Sequence, residues 1–248
     1  MRNIWSETHT VTTQDADFQQ KWAPASFFRV MVEAGSSHAT RLGYDYQEML
    51  ASDMAWVLAR SRVQFLRFPL IGDLVTIQTW PKGIYNKIFF MRDFFFLDKN
   101  GSKLAAASSA FLLINTQTRR ILPPHKLIGE LPDNDGLSAL NELLDKFILP
   151  ETMTEHHTVQ PGYSSIDLLG HVNNVRYIEW VSDCFTLEQY QSKQLDWMQI
   201  NFINEVKSGD SISIAKGQSA TDSALWFIQG INQSIKKTAF EATLRWVN

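Results

Sequence analysis

The chain has 248 residues, 44% of them hydrophobic, enough for one large core or two small ones. A formal net charge of −3 argues against a nucleic-acid binder, which as a rule carries a basic excess or stripe. The single cysteine, Cys184, excludes an internal disulfide and fits a reducing compartment; no Cys/His set has zinc spacing, so neither metal nor cofactor is expected.

At the N-terminus, Met1-Arg2-Asn3-Ile4-Trp5-Ser6-Glu7 has no apolar stretch of secretory length. The most apolar region, around Ile88 to Leu97, is interrupted by Arg92 and Asp93, so no membrane span is expected and the sequence predicts a cytoplasmic protein. Helical spacing of Phe28, Met31, Val32, Gly35, Ala39 and Leu42 predicts a first amphipathic helix stopped at Gly43. Strand-like runs follow at Trp56 to Phe68, Leu74 to Trp80, Ile88 to Leu97 and Ala105 to Ile114, with Lys99-Asn100-Gly101 as a hairpin turn. This region is locally basic: Arg60, Arg62, Arg67, Lys82, Lys87 and Arg92 face the single Asp73, leaving +5 against −8 for the rest. Leu122 to Pro150, with Pro123-Pro124, Pro132 and Asp133-Asn134-Asp135-Gly136, predicts a linker carrying a short helix over Ser138 to Lys146. Beyond it Val175, Ile178, Val181, Cys184 and Leu187 predict a second amphipathic helix.

The two halves look duplicated. Gly72-Asp73 laid over Gly209-Asp210, a shift of 137, sets Val63-Gln64-Phe65-Leu66 on Ile200-Asn201-Phe202-Ile203. A weaker match sets Leu104 to Asn115 beside Lys237 to Asn248, with Ala106 on Ala239. Aligning the helices through Tyr177 and Phe28, a shift of 149, puts Trp22 opposite His171 and Phe18 opposite Asp167. The implied unit is one helix plus an antiparallel sheet, an α+β fold in which two units pair within the chain, or between chains as a homodimer, to hide apolar faces and strand edges.

The segment from Tyr163 to Tyr177 concentrates the polar chemistry. Within it, Asp167-Leu168-Leu169-Gly170-His171-Val172-Asn173-Asn174-Val175-Arg176-Tyr177 resembles the Asp-x-Asn-x-His-Val-Asn-Asn-x-x-Tyr signature of the acyl-acyl carrier protein thioesterases, tandem hotdog enzymes of plants and bacteria. The similarity extends over Arg62 to Trp80, and from Arg92-Asp93 through Ala107-Ser108-Ser109 to Asn115 and Thr118-Arg119-Arg120. The resemblance implies a tandem (double) hotdog: an acyl-binding domain over 1–128, a linker over 129–150 and a catalytic domain over 151–248. It implies hydrolysis of a fatty acyl thioester on acyl carrier protein (ACP), and it sets Asp167, His171 and Glu205 on the family's catalytic positions. Two positions depart: Leu169 stands where plant members have Asn, and Val206 where they have Cys, which removes a cysteine nucleophile there.

Thioester hydrolysis needs an activated water, a place for the developing oxyanion and alignment of both with the carbonyl. Glu205 is the candidate base, given partial burial, or else the direct nucleophile. His171 precedes a helix N-terminus and is placed to orient water or polarise the carbonyl; Asp167 either orients His171 or bonds backbone in a turn. Asn173 and Asn174 are helix caps, and the N–H groups of Val172, Asn173 and Asn174 are oxyanion candidates. Met31, Gly35 and Ser36 on the first helix either line an acyl pocket or allow close packing. The six basic residues either line solvated strand faces or dock an acidic carrier. Rival readings are an acyl-CoA thioesterase, a hotdog dehydratase or hydratase, and a non-catalytic acyl-binding protein. His156-His157 has no third ligand at metal spacing.

Overall fold

The computed structural model describes residues 3–134 and 136–248; Met1, Arg2 and Asp135, which the N-terminal and linker expectations include, lie outside the described residues. The chain divides into two compact units, Met1–Leu144 and Asp145–Asn248.

In the first unit, β1 (Trp5–Thr10) precedes the long helix α1 (Pro24–Arg41) and the short α2 (Tyr46–Ala51). Then come β2 (Met54–Phe65), β3 (Leu74–Tyr85), β4 (Phe89–Leu97), β5 (Lys103–Asn115) and the two-residue β6 (Ile121–Leu122). The strands are antiparallel in the order β1-β3-β4-β5-β2, with β6 beside β5. Proline at the start of α1 supplies a pre-set φ, and Gly43, at φ +83°, takes the left-handed turn that ends it. Phe27, Met31 and Ala34 on α1 are buried, as are Val63, Phe65, Ile77, Phe94 and Phe96 on the strands.

Two strand ends differ from the sequence expectation. β2 stops at Phe65 rather than Phe68, because the Leu66 and Arg67 amides both turn to the Leu104 carbonyl. β3 continues past Trp80 to Tyr85 despite Pro81, since β1 pairs only as far as Thr79 and the missing proline N–H leaves no acceptor unsatisfied on that side. The hairpin at Lys99-Asn100-Gly101 forms as expected: the Asp98 carboxylate accepts the Asn100 and Ser102 amides, and Gly101 sits at φ +80°.

The expected helix over Ser138 to Lys146 does not exist. Leu140 and Leu144, four apart, imitate helical spacing, but both are buried from an irregular chain, Leu144 among Ala59, Phe89 and Ala110. Side chains of the sheet replace the helical hydrogen bonds. Lys82 Nζ donates to the Leu140 carbonyl (2.7 Å), Trp80 Nε1 to that of Leu137 (3.3 Å) and the Arg60 guanidinium to that of Leu144. The Ala139 amide donates to buried Asp93 at 2.6 Å. Residues 129–144 of the expected linker therefore belong to the first unit.

The second unit repeats the order. β7 (Thr154–Val159), α3 (Asn174–Ser182), α4 (Leu187–Ser192), β8 (Gln194–Phe202), β9 (Ile212–Gln218), β10 (Leu225–Asn232) and β11 (Lys237–Val247) form the antiparallel sheet β7-β9-β10-β11-β8. The second helix is shorter than expected. It ends at Ser182, and Thr186 opens α4 with a capping box, so Leu187 begins a new helix and is exposed. Strand pairing corrects the weaker sequence match as well: Ala105 faces Phe65 and Phe240 faces Phe202, so β5 maps on β11 with a shift of 135, and Ala106 does not meet Ala239.

Candidate active site

The loop before α3 is built by its own backbone. The Asp167 amide donates to the His171 carbonyl (2.8 Å), while Asp167 Oδ1 accepts the amides of Leu169 (2.9 Å) and His171 (3.4 Å). Gly170, at φ +79°, closes the turn. The Val172 amide then donates to the Val206 carbonyl (2.8 Å) and the Asn173 amide to that of Ser165 (2.9 Å), which ties the loop to the chain leaving β8. Asn173 caps α3, its Oδ1 accepting the Val175 amide at 2.9 Å.

This tie brings the two halves of the site together. His171 Nε2 lies 2.9 Å from Glu205 Oε2, with the two side chains 17% and 42% exposed. An ion pair this open contributes at most about 1 kcal/mol of stability, so folding alone gives little reason to keep it. Asp167 holds backbone rather than the His171 ring, so the expectation that it orients the imidazole is replaced by a turn-forming role. Of the oxyanion candidates, Val172 and Asn173 have their N–H groups committed; that of Asn174 meets no acceptor among the described residues. Leu169 is 41% exposed, and its backbone amide serves the turn.

The first unit contains the same loop without the pair. The Asp17 amide donates to the Lys21 carbonyl (2.8 Å), and Asp17 Oδ1 accepts the amides of Gln19 (2.8 Å) and Lys21 (3.0 Å). Gln20 takes the left-handed conformation of Gly170, and the Trp22 amide donates to the Pro69 carbonyl at 2.8 Å. These bonds fix the helix-loop shift at 150, not 149: Asp17 matches Asp167, Lys21 matches His171, and Phe27 matches Tyr177. The 137 shift holds from Pro69 on Val206, so Phe68 stands in the place of Glu205. The sequence alignment failed by one residue because it followed Phe28 rather than the hydrogen-bonding Asp17.

The other candidates disperse. Arg92 is buried, donating to His38 Nδ1 (3.0 Å) and Thr79 Oγ1 (3.3 Å) against α1, while Arg60 and Lys82 hold the linker segment on the opposite face of the sheet. Arg67 pairs with Asp98 (2.6 Å), Arg62 is half-buried along β2, and Lys87 is exposed in the β3–β4 turn. The six therefore form no common docking face. Gly35 is filled by packing, since a Cβ there would stand 3.4 Å from Arg92 Cδ; Met31 is buried in the core and Ser36 is exposed on the outer side of α1. Burial and the neighbouring Arg92 push His38 down to about 4. Cys184 is buried, its thiol pushed up to about 12 by burial. Among the described residues no group of three or more His, Cys, Asp or Glu is placed to hold a metal, and no helix is long and apolar enough to cross a membrane.

Comparison with known proteins finds relatives that cover both units. Residues 2–128 match the model of the acyl-ACP thioesterase N-terminal domain and residues 149–248 that of the C-terminal domain. A chloroplastic palmitoyl-acyl carrier protein thioesterase of Gossypium hirsutum is 28% identical over 64% of this chain and 40% of its own length. A chloroplastic oleoyl-acyl carrier protein thioesterase of Coriandrum sativum is 25% identical over 82% of this chain and 60% of its own. The chain thus spans between two fifths and three fifths of these longer relatives. Among solved structures, an acyl-ACP thioesterase from Bacteroides thetaiotaomicron superposes with a TM-score of 0.81 at 22% identity, covering 98% of each chain. The 12:0-ACP thioesterase from Umbellularia californica gives 0.77 at 21%, covering 98% of this chain and 97% of its own. The fold is the double hotdog.

Proposed function

This chain belongs to the acyl-ACP thioesterase family, and from that premise we propose that it hydrolyses the thioester of a fatty acyl chain carried on ACP, releasing free fatty acid and carrier thiol. The reading is carried by the 2.9 Å approach of His171 to Glu205 in the unit that the family's C-terminal model matches. A water held between the pair and the carbonyl gives its proton to Glu205 as its oxygen attacks. The Asn174 N–H, at the positive end of α3, takes the developing oxyanion. The C–S bond then breaks, and the carrier sulfur leaves with the proton returned through the pair.

Asp167 keeps His171 at the correct height by holding its amide. The first unit, with Lys21 and Phe68 in place of the pair, receives the acyl tail against a core that includes Met31, and the duplication supplies the second hotdog that a single unit lacks. A carrier-protein substrate and a lone buried thiol suit the cytoplasm.

The test is thiol release from a series of saturated acyl chains on ACP and on coenzyme A, with 3-hydroxyacyl thioesters alongside. Release from acyl-ACP exceeding that from acyl-CoA is expected. Double-bond absorbance without thiol would make the protein a dehydratase, and tight binding with no turnover an acyl carrier.

A further inference from the structure

The chain that carries Glu205 leaves β8 through a turn anchored on β11. The Ile203 and Asn204 amides both donate to the Ala239 carbonyl, at 2.8 and 3.0 Å. The Asn204 side chain adds a third bond, its Nδ2 donating to the Thr238 carbonyl at 2.7 Å. Ala239 is a bulge in β11: Gly230 faces Phe240 and Ile231 faces Thr238, so the register with β10 passes it over. A bulge re-aims groups that a regular ladder would use up. Here the carbonyls of two successive residues both serve Asn204.

Asn204 is thus fixed by its backbone and by its carboxamide immediately before Glu205. Immediately after Glu205, the Val206 carbonyl accepts the amide of Val172, the residue that follows His171, at 2.8 Å. Farther on, Asp210 Oδ2 accepts the Lys207 amide (2.9 Å) and Nδ2 of buried Asn232 (2.8 Å). Glu205 therefore stands between an anchor on β11 and an anchor on the loop that bears His171. Its side chain is 42% exposed, so packing does little to hold it, and its reach to His171 depends on how firmly the backbone on either side is held.

The first unit makes the same turn without a carboxamide. The Leu66 and Arg67 amides donate to the Leu104 carbonyl at 2.9 and 3.0 Å, and Leu104 is likewise passed over in the register of β4 with β5. Arg67, the counterpart of Asn204 at the shift of 137, sends its side chain to Asp98 instead. The turn forms with either side chain. What the carboxamide adds is a second attachment for residue 204, one residue from Glu205.

We propose that Asn204 is a positioning residue, whose carboxamide, bonded to the Thr238 carbonyl, fixes the backbone that leads into Glu205 and keeps its carboxylate within reach of His171. The proposal rests on the catalytic reading of that pair.

Asn204→Leu keeps the size of the side chain and removes the donor. It should lower kcat about tenfold with KM moved by less than about twofold, as loss of one positioning hydrogen bond predicts. NMR resonances of the His171 ring should shift before substrate is added, in the direction that Glu205→Ala shifts them. A double variant separates positioning from general structural damage. Asn204→Leu placed in Glu205→Gln should cost no further activity, because the side chain that Asn204 positions no longer takes a proton. Parental kcat, unshifted His171 resonances, or losses that multiply in the double variant would each overturn the proposal. Should Asn204→Leu not fold, Asn204→Ala, which adds no bulk, decides by the same readouts. If the wild-type chain releases no thiol from acyl-ACP, the catalytic reading fails, and the His171 resonances still decide whether Asn204 holds Glu205 in place.

Discussion

Replacing Glu205 with Gln keeps the shape of the side chain and an oxygen that can accept from His171, but removes the group that takes a proton. The structure sets two magnitudes against each other. Because Glu205 is 42% exposed and its partner is a histidine, the pair contributes at most about 1 kcal/mol to folding, so the denaturant midpoint should hardly move. Loss of a general base costs roughly 10²–10⁴ in rate, or about 3–5 kcal/mol of transition-state stabilisation. The expected signature is therefore a large fall in kcat with an unchanged unfolding curve. A thiol-reactive dye measures turnover on acyl-ACP while tryptophan fluorescence follows unfolding in urea. A variant that keeps turnover within about threefold of the parent would refute the reasoning, and so would one whose activity falls only as far as its stability.

Asp17→Ala and Asp167→Ala remove the same turn from the two copies, so each should cost about 1 kcal/mol in urea unfolding; only the second should slow hydrolysis, and equal slowing by both would show that the loops do not differ in function. Leu144→Ala should destabilise by about 2–5 kcal/mol, because the residue is buried in an irregular segment that packs as core; a cost below about 0.5 kcal/mol would mean the segment is a free linker. His38 sits near 4 in the fold against 6.5 unfolded, so its neutral form stabilises the fold fully above pH 6.5. That contribution, on the order of 3 kcal/mol, should be lost as pH falls from 6.5 towards 4. The lost slope should flatten in His38→Gln, and an unchanged pH profile in that variant would assign the acid sensitivity elsewhere.

Much of the fold was legible because local chemistry and tertiary position agreed. The α1 stripe from Phe28 to Leu42 and the turn at Lys99-Asn100-Gly101 report their own geometry through periodicity, glycine and a carboxylate two residues away. Where two structures share one pattern, the sequence misled. Leu140 and Leu144 have helical spacing, yet the carbonyls of Leu140 and Leu144 are taken by Lys82 and Arg60 from distant strands. Arg92 lies on the same strand pattern as surface cations but faces α1, and Gly35 makes room for it. Asp167, His171 and Glu205 were all named as candidates through the family resemblance.

The sequence by itself determined the duplication and the α+β class, since these depend on residue identity and spacing, and resemblance to a known signature supplied the family and the candidate pair. Only the tertiary structure decided that His171 and Glu205 meet at 2.9 Å and that Asp167 bonds backbone. Each of those facts is a contact between segments tens of residues apart, and it depends on which backbone groups the fold leaves to be satisfied. A linear pattern carries the identity of a donor or an acceptor. It does not carry its partner.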